Sequence, residues 1–165
     1  MNANSDSKIS VLMVCLGNIC RSPLAEAALR AAAEREGIEI EVDSAGTGDW
    51  HIGHPPDPRA VHVAQLLGGL DIGSLQARQI ERQDFYRFDH IVAMDTANLR
   101  HLRGLMPSDS RSQLSLFLDH LPGHEGQSVA DPYYGETSGF ETCWHEVRAA
   151  ADAFVEKLKS KSGFA

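Results

Sequence analysis

A cysteine and an arginine stand six positions apart in the segment CLGNICRS, residues 15–22. A cysteine thiolate is a strong nucleophile, and a guanidinium presents a planar pair of donors that matches two oxygens of a phosphate group. Between them, Gly17 and Asn18 favour a tight turn, because both tolerate backbone angles that other residues avoid. We therefore interpret Cys15 as a candidate nucleophile and Arg21 as a candidate phosphate-binding residue.

This segment separates a predicted strand from a predicted helix. Residues 9–14, ISVLMV, form a continuous apolar run, which is typical of a strand covered on both faces. Ser22 as N-cap, Pro23 at the first helical position and Gly37 at the end delimit the helix. A loop in this position directs free backbone N–H groups and the positive end of the helix dipole at one small volume, which favours an anion. The predicted phosphate-binding loop comprises Leu16, Gly17, Asn18, Ile19, Cys20 and Ser22, with Cys15 and Arg21 at its ends.

The chemistry that fits this loop is covalent phosphoryl transfer. The N–H groups that bind an oxyanion also stabilise a thiolate, so Cys15 can accept a phosphoryl group that water then removes, without a metal. An isolated cysteine at a strand end more often serves packing. The Gly-Asn turn, Ser22 and the strand–loop–helix context favour the catalytic interpretation.

Apolar runs and helical spacings alternate along the rest of the chain. Further strands are predicted at 38–43, 90–94 and 113–118, and further helices from Asp57-Pro58 to Leu67, from Asp95 and Asn98 to about Leu105, and from about Gly139 to Lys159. This alternation predicts an α/β fold, a parallel sheet with helices on both faces, in which ligands bind at the carboxyl ends of the strands. We expect a short flexible leader at residues 1–8 and one domain at 9–165.

The composition narrows the class of protein. A formal net charge of −8 over 165 residues argues against a general nucleic-acid binder, which needs a basic face. No apolar run approaches the ~18 residues of a membrane span, and the start MNANSDSKIS lacks the order of a signal peptide. We expect a cytoplasmic protein without membrane contact, whose three cysteines serve catalysis or packing rather than a disulfide scaffold.

Several motifs together identify a family. VCLGNICRSP closely resembles the phosphate-binding loop of the low-molecular-weight protein tyrosine phosphatases, and the resemblance continues through VDSAGT, ARQI, FDHIVAMD and DPYYG. It implies a single-domain, Rossmann-like, four-stranded parallel sheet with helices on both sides, the phosphotyrosine protein phosphatase I fold. It also implies Cys15 as nucleophile, Arg21 as phosphate-binding residue and Asp131 as general acid, with no cofactor.

Asp131 also makes chemical sense, because a leaving phenolate must take up a proton as the P–O bond breaks. The Asp-Pro pair is otherwise a common turn-starter. Trp50, Tyr133 and Tyr134 are the expected pocket walls, since an aryl phosphate needs a slot deep enough to bring phosphorus near the cysteine. For the tyrosine pair, a plain surface turn is the alternative.

A second layer of polar residues is expected behind the loop. The hydroxyl of Ser22 can donate to the Cys15 sulfur, and the resemblance places Asn18 and Ser44 in a network that holds the loop. Relatives commonly carry a histidine two residues before the ARQ triplet, where it braces the asparagine, but this chain has Leu75. Either another group holds Asn18, or the loop is less rigid.

The remaining cysteines and histidines receive separate interpretations. Cys20 is the expected redox partner of Cys15 in a reversible disulfide, which the resemblance supports. Cys143 lies on the apolar face of the last helix and is interpreted as core. The spacing of His51 and His54, in a Pro-rich loop without nearby Cys or acidic ligands, predicts no metal site. These two histidines are expected to edge the pocket, as are His120 and His124 of the long loop.

Three other functions compete with a tyrosine phosphatase. A protein arginine phosphatase of the same fold tends to have Thr where this chain has Ile19, so Ile19 favours phosphotyrosine. An arsenate reductase would need two more thiols on a mobile segment, which Cys143 on a packed helix does not provide. A non-catalytic phosphotyrosine-binding module finds support only in Leu75, because Cys15, Arg21 and Asp131 are all present.

The substrate and assembly are less specified by the sequence. Resemblance to bacterial relatives makes a phosphorylated tyrosine kinase of polysaccharide export a candidate partner, and host proteins are equally compatible if the chain is secreted without a signal. A monomer or a weak dimer is expected, because an aromatic pocket can self-associate.

Overall fold

The computed structural model describes residues 8–162. Its elements in chain order are β1 (Ile9–Cys15), α1 (Arg21–Arg35), β2 (Ile40–Gly46), α2 (Pro58–Gly68), α3 (Asp84–Arg87), β3 (His90–Ala93), α4 (Thr96–Leu105), β4 (Gln113–Leu116), a 3-10 helix (Phe117–His120) and α5 (Thr137–Ser162). All four predicted strands are present, whereas α3 was not predicted. The predicted leader lies outside the described residues except for Lys8.

The four strands form one parallel sheet in the order β2-β1-β3-β4, which confirms the predicted fold class. β1 is central, and its last residue pairs with the last residue of β2, Cys15 with Gly46. All four carboxyl ends therefore meet at one edge of the sheet. That edge is where a parallel α/β sheet binds ligands.

Side chains of β1 alternate between two apolar cores, one on each face of the sheet. Val11 and Met13 pack with buried residues of α1, α2 and α5. Leu12 and Val14 pack with buried residues of α3 and α4 on the other face. The apolar face predicted for α5 is buried throughout: Cys143, Trp144, Val147, Ala151, Phe154, Val155 and Leu158. Among the described helices, none has the length and apolar content needed to cross a membrane.

The predicted start of α1 is wrong by two residues. The helix begins at Arg21 with Cys20 as N-cap and no side-chain capping bond, so Pro23 is its third residue. Ser22 is not the cap because its hydroxyl is engaged by Cys15 and Asn18. A proline is tolerated in this first turn, since the N–H it lacks would have no partner within the helix.

Other helix starts follow the sequence pattern. Asp57 caps α2 by accepting from the backbone N–H of Arg59, and Pro58 is the first helical residue, as predicted. Asp95 and Asn98 form a reciprocal capping box at α4.

Strand ends differ more from the prediction. β2 runs to Gly46 rather than residue 43, because Ser44 to Gly46 continue the ladder with β1. β4 ends at Leu116 rather than 118, where the chain turns into the 3-10 helix that packs on α5.

Candidate active site

Cys15 ends the central strand and is 2% exposed. Its sulfur accepts a hydrogen bond from the backbone N–H of Asn18 at 3.2 Å and lies 3.0 Å from the Ser22 hydroxyl. That hydroxyl oxygen accepts from the Asn18 side-chain amide at 2.8 Å, which leaves its proton free for the sulfur. Two donors therefore converge on the sulfur.

Asn18 holds the loop in shape. It adopts a left-handed backbone angle, φ 59°, as the Gly-Asn turn suggested. Its amide nitrogen also donates to Ser44 Oγ at 3.0 Å, and its amide oxygen accepts from the Arg78 backbone N–H at 2.9 Å. Ser44 in turn donates to the buried carboxylate of Glu26 at 2.6 Å. Every polar atom of the Asn18 side chain thus has a partner.

These bonds show that groups other than residue 75 hold Asn18 in place. Leu75 is partly buried against the apolar core. Ser44 and the Arg78 backbone hold Asn18 in this chain without a histidine. The arginine of the ARQ triplet contributes through its main chain, because its guanidinium is occupied by Asp43 and Asp84.

Two glycines allow elements to approach the loop closely. A Cβ on Gly46 would lie 2.7 Å from the Leu16 carbonyl oxygen, so the end of β2 can support the loop only as glycine. A Cβ on Gly17 would lie 3.0 Å from the imidazole of His51. The role of Gly46 was not predicted, although it directly follows Ser44-Ala45 at the sheet edge.

Arg21 is 2% exposed and points toward the acidic side of the site. Nη1 donates to Asp95 Oδ2 at 2.7 Å and to the Val129 carbonyl at 2.9 Å, and Nη2 lies 3.5 Å from Asp131 Oδ2. Burial alone would lower the pKa of this guanidinium. Negative charge on Cys15, Asp95 and Asp131 outweighs burial and raises the pKa above its usual value. Arg21 is therefore a fixed positive charge.

Asp95 is a site residue that sequence reasoning missed. It was interpreted only as the cap of α4, and Oδ1 does accept from the Asn98 backbone N–H at 2.7 Å. Its second oxygen holds Arg21. The available signal was its position directly after β3, at the sheet edge that also carries Cys15.

Asp131 lies across the opening from the phosphate-binding loop. Its side chain is 37% exposed, Oδ2 faces Arg21, and Oδ1 accepts from the Tyr133 backbone N–H at 3.1 Å. The structure thus brings Cys15, Arg21 and Asp131 to one place, with the carboxylate reachable from solvent. A group in this position can exchange a proton with a bound substrate.

A cavity of about 380 Å³ opens above Cys15, lined by Cys15, Leu16, Gly17, Ile19, Cys20, Arg21, Trp50, His51, Asp131, Tyr133 and Tyr134. Trp50 is 66% exposed and Tyr134 92% exposed, so both stand at the mouth. Tyr133 and Tyr134 meet edge-to-face with ring centroids 4.9 Å apart. The cavity is a slot with aromatic walls and a polar floor.

The four predicted pocket-edge histidines divide into two groups. His51 lines the cavity, and the His54 ring lies 6.0 Å behind it. The prediction is wrong for His120, which bonds Ser115 and packs edge-on against Phe154 of α5. It is also wrong for His124, which lies exposed beside the Pro122 carbonyl. The turn after β4 sends this part of the chain toward α5 rather than over the cavity.

The two other cysteines are buried thiols. Burial, with Asp57 and Cys15 nearby, raises the pKa of Cys20 well above its usual value. Burial likewise raises the pKa of Cys143 to about 12 in the core. Both remain protonated at neutral pH.

Comparison with known proteins agrees with this geometry. The family model for low molecular weight phosphotyrosine protein phosphatase matches residues 10–163. The phosphatase of that name from Schizosaccharomyces pombe is 41% identical, over 91% of this chain and 97% of the relative. The crystal structure of YfkJ from Bacillus subtilis superposes with a TM-score of 0.86 at 38% identity, over 94% and 97% of the two chains.

A Drosophila arginine phosphatase, DARP, has the same fold. Its crystal structure superposes with a TM-score of 0.84 at 30% identity, over 90% of this chain and 97% of that one. The family model and the relatives match nearly the whole chain, and the phosphate-binding loop lies where the fold predicts. This chain is an enzyme of the low-molecular-weight phosphotyrosine protein phosphatase family.

Proposed function

We propose that this protein hydrolyses phosphotyrosine in proteins, and small aryl phosphates, through a cysteinyl-phosphate intermediate. The observation that carries the proposal is the buried Cys15 sulfur, with two donors within 3.2 Å, at the floor of a cavity that Arg21 and Asp131 also line. No other described nucleophile combines these features.

The reaction proceeds in two steps. The Cys15 thiolate attacks phosphorus, the bond to the phenolic oxygen breaks, and Asp131 delivers its proton to the departing oxygen. Water then attacks the cysteinyl-phosphate, Asp131 takes a proton from that water, and phosphate leaves as the thiolate is restored. In both steps Arg21 turns its guanidinium to the equatorial oxygens, and the N–H groups at the start of α1 face the same oxygens.

The walls of the cavity favour a phosphorylated tyrosine. An aromatic ring can stack between Trp50 and Tyr133 while its phosphate reaches the loop. Ile19, at the inner wall, gives an apolar contact suited to a ring rather than to the donors of a guanidinium. A phosphoarginine substrate is the second candidate, because the Drosophila arginine phosphatase shares the fold.

Reversible oxidation is part of the proposal. Cys15 and Cys20 line the same cavity, and both are free thiols. Oxidation of Cys15 to a sulfenic acid, followed by attack of Cys20 with loss of water, gives a disulfide that protects the nucleophile. Mild peroxide should inactivate the enzyme, a thiol reductant should restore activity, and mass spectrometry should find a Cys15–Cys20 link. A sulfinic acid on Cys15 instead would rule out this protection.

The biological setting follows the same proposal. The proposed substrate is a phosphorylated protein in the cytoplasm, such as a bacterial tyrosine kinase, whose phosphotyrosine side chain can enter this cavity. The exposed rings of Trp50 and Tyr134 support weak self-association at most, because they form a small apolar area at the cavity mouth. Sedimentation at several protein concentrations distinguishes a monomer from a weak dimer.

The experiment that tests the function is phosphate release from matched phosphotyrosine and phosphoarginine peptides, with Cys15→Ser as blank. Faster release from phosphotyrosine is expected. A preference for phosphoarginine would keep the mechanism and overturn the substrate. Release from neither, with binding retained, would favour a non-catalytic phosphotyrosine-binding module.

A further inference from the structure

Arg59 lies outside the cavity and connects two segments of the chain. One segment ends at Asp57, and the other follows Asp131. Arg59 is the second residue of α2 and makes a forked ion pair with Asp57, Nε to Oδ1 at 3.0 Å and Nη2 to Oδ2 at 2.9 Å. The Asp57 side chain is only 9% exposed. This pairing fixes the direction in which the guanidinium points, because both partners are planar and bidentate.

The same guanidinium holds the segment that follows Asp131. Nη2 donates to the Tyr133 carbonyl at 3.0 Å, and Nη1 donates to the Gly135 carbonyl at 3.1 Å. Its central carbon lies 4.5 Å from the Phe140 ring centroid and 5.8 Å from that of Tyr133. Two carbonyl bonds and two aromatic contacts converge on this one side chain.

Both ends of this connection reach the catalytic groups. At one end, the Asp57 backbone N–H donates to the carbonyl of Ile19 in the phosphate-binding loop at 2.8 Å. At the other end, the Tyr133 backbone N–H donates to Asp131 Oδ1 at 3.1 Å. A continuous path of hydrogen bonds thus runs from Ile19 through Asp57 and Arg59 to the carboxylate of Asp131.

We propose that Arg59 is a positioning residue that sets the place of Asp131 relative to the phosphate-binding loop, and so controls proton transfer to the leaving group. The inference rests on the proposed function. Arginine suits this role because its five N–H donors lie in one plane and serve a carboxylate and two carbonyls together. Lysine has the charge without this planar geometry.

The first test compares Arg59→Met with Arg87→Met. Arg87 is a matched control, since it also pairs with a carboxylate, that of Glu41, and lies over an aromatic ring, Phe88, at 4.8 Å, but away from the cavity. We expect Arg59→Met to lower kcat/KM, which reports the step in which the phenol leaves, about 10- to 100-fold for aryl phosphates with poor leaving groups. For p-nitrophenyl phosphate, which needs little protonation, the loss should stay below about threefold. Arg87→Met should match the wild type with both substrates.

A double-mutant cycle separates positioning from general damage. If Arg59 acts through the carboxylate, Arg59→Met should cost less than about threefold in an Asp131→Asn background, because the interaction is already lost. Equal losses for all leaving groups, or additive losses in the cycle, would overturn the inference, since a disturbed wall at Tyr133 affects every substrate alike. Should Arg59→Met unfold, Arg59→Lys is expected to retain the fold and show the same leaving-group dependence in weaker form.

These outcomes are distinct from failure of the proposed function. A wild-type protein that releases phosphate, with leaving-group dependence appearing in Asp131→Asn, supports the function whatever Arg59 does. An Asp131→Asn variant with no such dependence overturns the acid role and the inference on Arg59 together.

Discussion

The two halves of the site are constructed in different ways. The phosphate-binding loop, residues 15–22, is buried except at Leu16 and Gly17, and it is held by bonds to β2, α1 and the Arg78 backbone. The segment around Asp131 is mostly exposed from residue 122 to 136, with Val129 and Pro132 as its buried anchors. One half is part of the core, and the other is attached to it by a backbone bond from Val129 to Met94 and by arginine side chains.

In the proposed mechanism, this difference separates two catalytic tasks. Binding the phosphate and stabilising the thiolate need fixed geometry, which a strand, a tight turn and a helix start provide within eight residues. Proton transfer needs a carboxylate that reaches solvent and closes on different substrates, which an exposed loop provides. The cost is that the position of Asp131 depends on a few contacts from Arg21 and Arg59.

The largest expected effect comes from the buried half. Cys15→Ser should lower turnover about 10⁴-fold or more, because the hydroxyl is a far weaker nucleophile than the thiolate. Binding of inorganic phosphate should be retained, since the loop donors and Arg21 are unchanged. Calorimetric titration with phosphate checks the second part, and residual turnover near the wild-type rate would exclude the covalent mechanism.

The exposed half should give a smaller and more selective loss. Asp131→Asn is expected to lower kcat/KM, which reports phosphoryl transfer to Cys15 and not the later attack by water, about 10²- to 10³-fold for aryl phosphates with poor leaving groups and much less for p-nitrophenyl phosphate. A series of substituted phenyl phosphates measures this dependence. A uniform loss across the series would argue against an acid role for this carboxylate.

Substitutions of Asn18 test how much its hydrogen bonds in the buried half contribute to the free energy of unfolding. Asn18→Gly keeps the left-handed backbone but removes the side-chain bonds, which should lower the free energy of unfolding by about 1–3 kcal/mol. Asn18→Ala adds the strain of a left-handed alanine, about 1 kcal/mol more. Denaturant unfolding of both variants measures the difference, and equal stability would mean that the backbone angle of residue 18 relaxes.

The smallest effect concerns the connection between the halves. The hydrogen bond from Arg59 holds the pKa of Asp57 below its usual value, so this carboxylate stabilises the fold fully above about pH 4. That contribution is lost as the pH falls through the lowered pKa in the folded state. Below pH 4, the free energy of unfolding should therefore fall further in the wild type than in Asp57→Asn. The difference between the two losses should be less than about 1 kcal/mol. Parallel slopes in thermal melts across that range would contradict the expectation.

Local patterns predicted much of the fold and the phosphate-binding half. The apolar run before Cys15, the Gly-Asn turn and the Asp57-Pro58 helix start all depend on residues close together in sequence, where propensity and capping decide the outcome. The wrong assignment of Ser22 as N-cap shows the limit of such patterns. Its hydroxyl could bond either the helix N-terminus or the Cys15 sulfur. In the structure it bonds the sulfur, and the helix start has no side-chain cap.

The exposed half was harder to predict because its partners are far apart in sequence. Asp95 meets Arg21 across 74 positions, and Arg59 meets Tyr133 across another 74. Helix and strand periodicities relate only residues that are close in sequence, so they do not predict such pairs. Asp95 was interpreted as a cap, which it is, while its second oxygen accepts a hydrogen bond from Arg21. His120 and His124 were assigned to the cavity for the same reason, since loop composition does not fix a loop's direction.

The central claim is that Cys15 carries the phosphoryl group while Asp131 handles the proton. Asp131→Asn mixed with p-nitrophenyl phosphate tests it most directly, because this substrate loads the sulfur without an acid while the slower attack by water lets the intermediate accumulate. After rapid quenching and digestion, we predict the mass of one phosphoryl group on the peptide that contains Cys15, and none on the same peptide of Cys15→Ser. A phosphoryl group on another residue, such as His51, or continued turnover with no labelled peptide, would contradict the account.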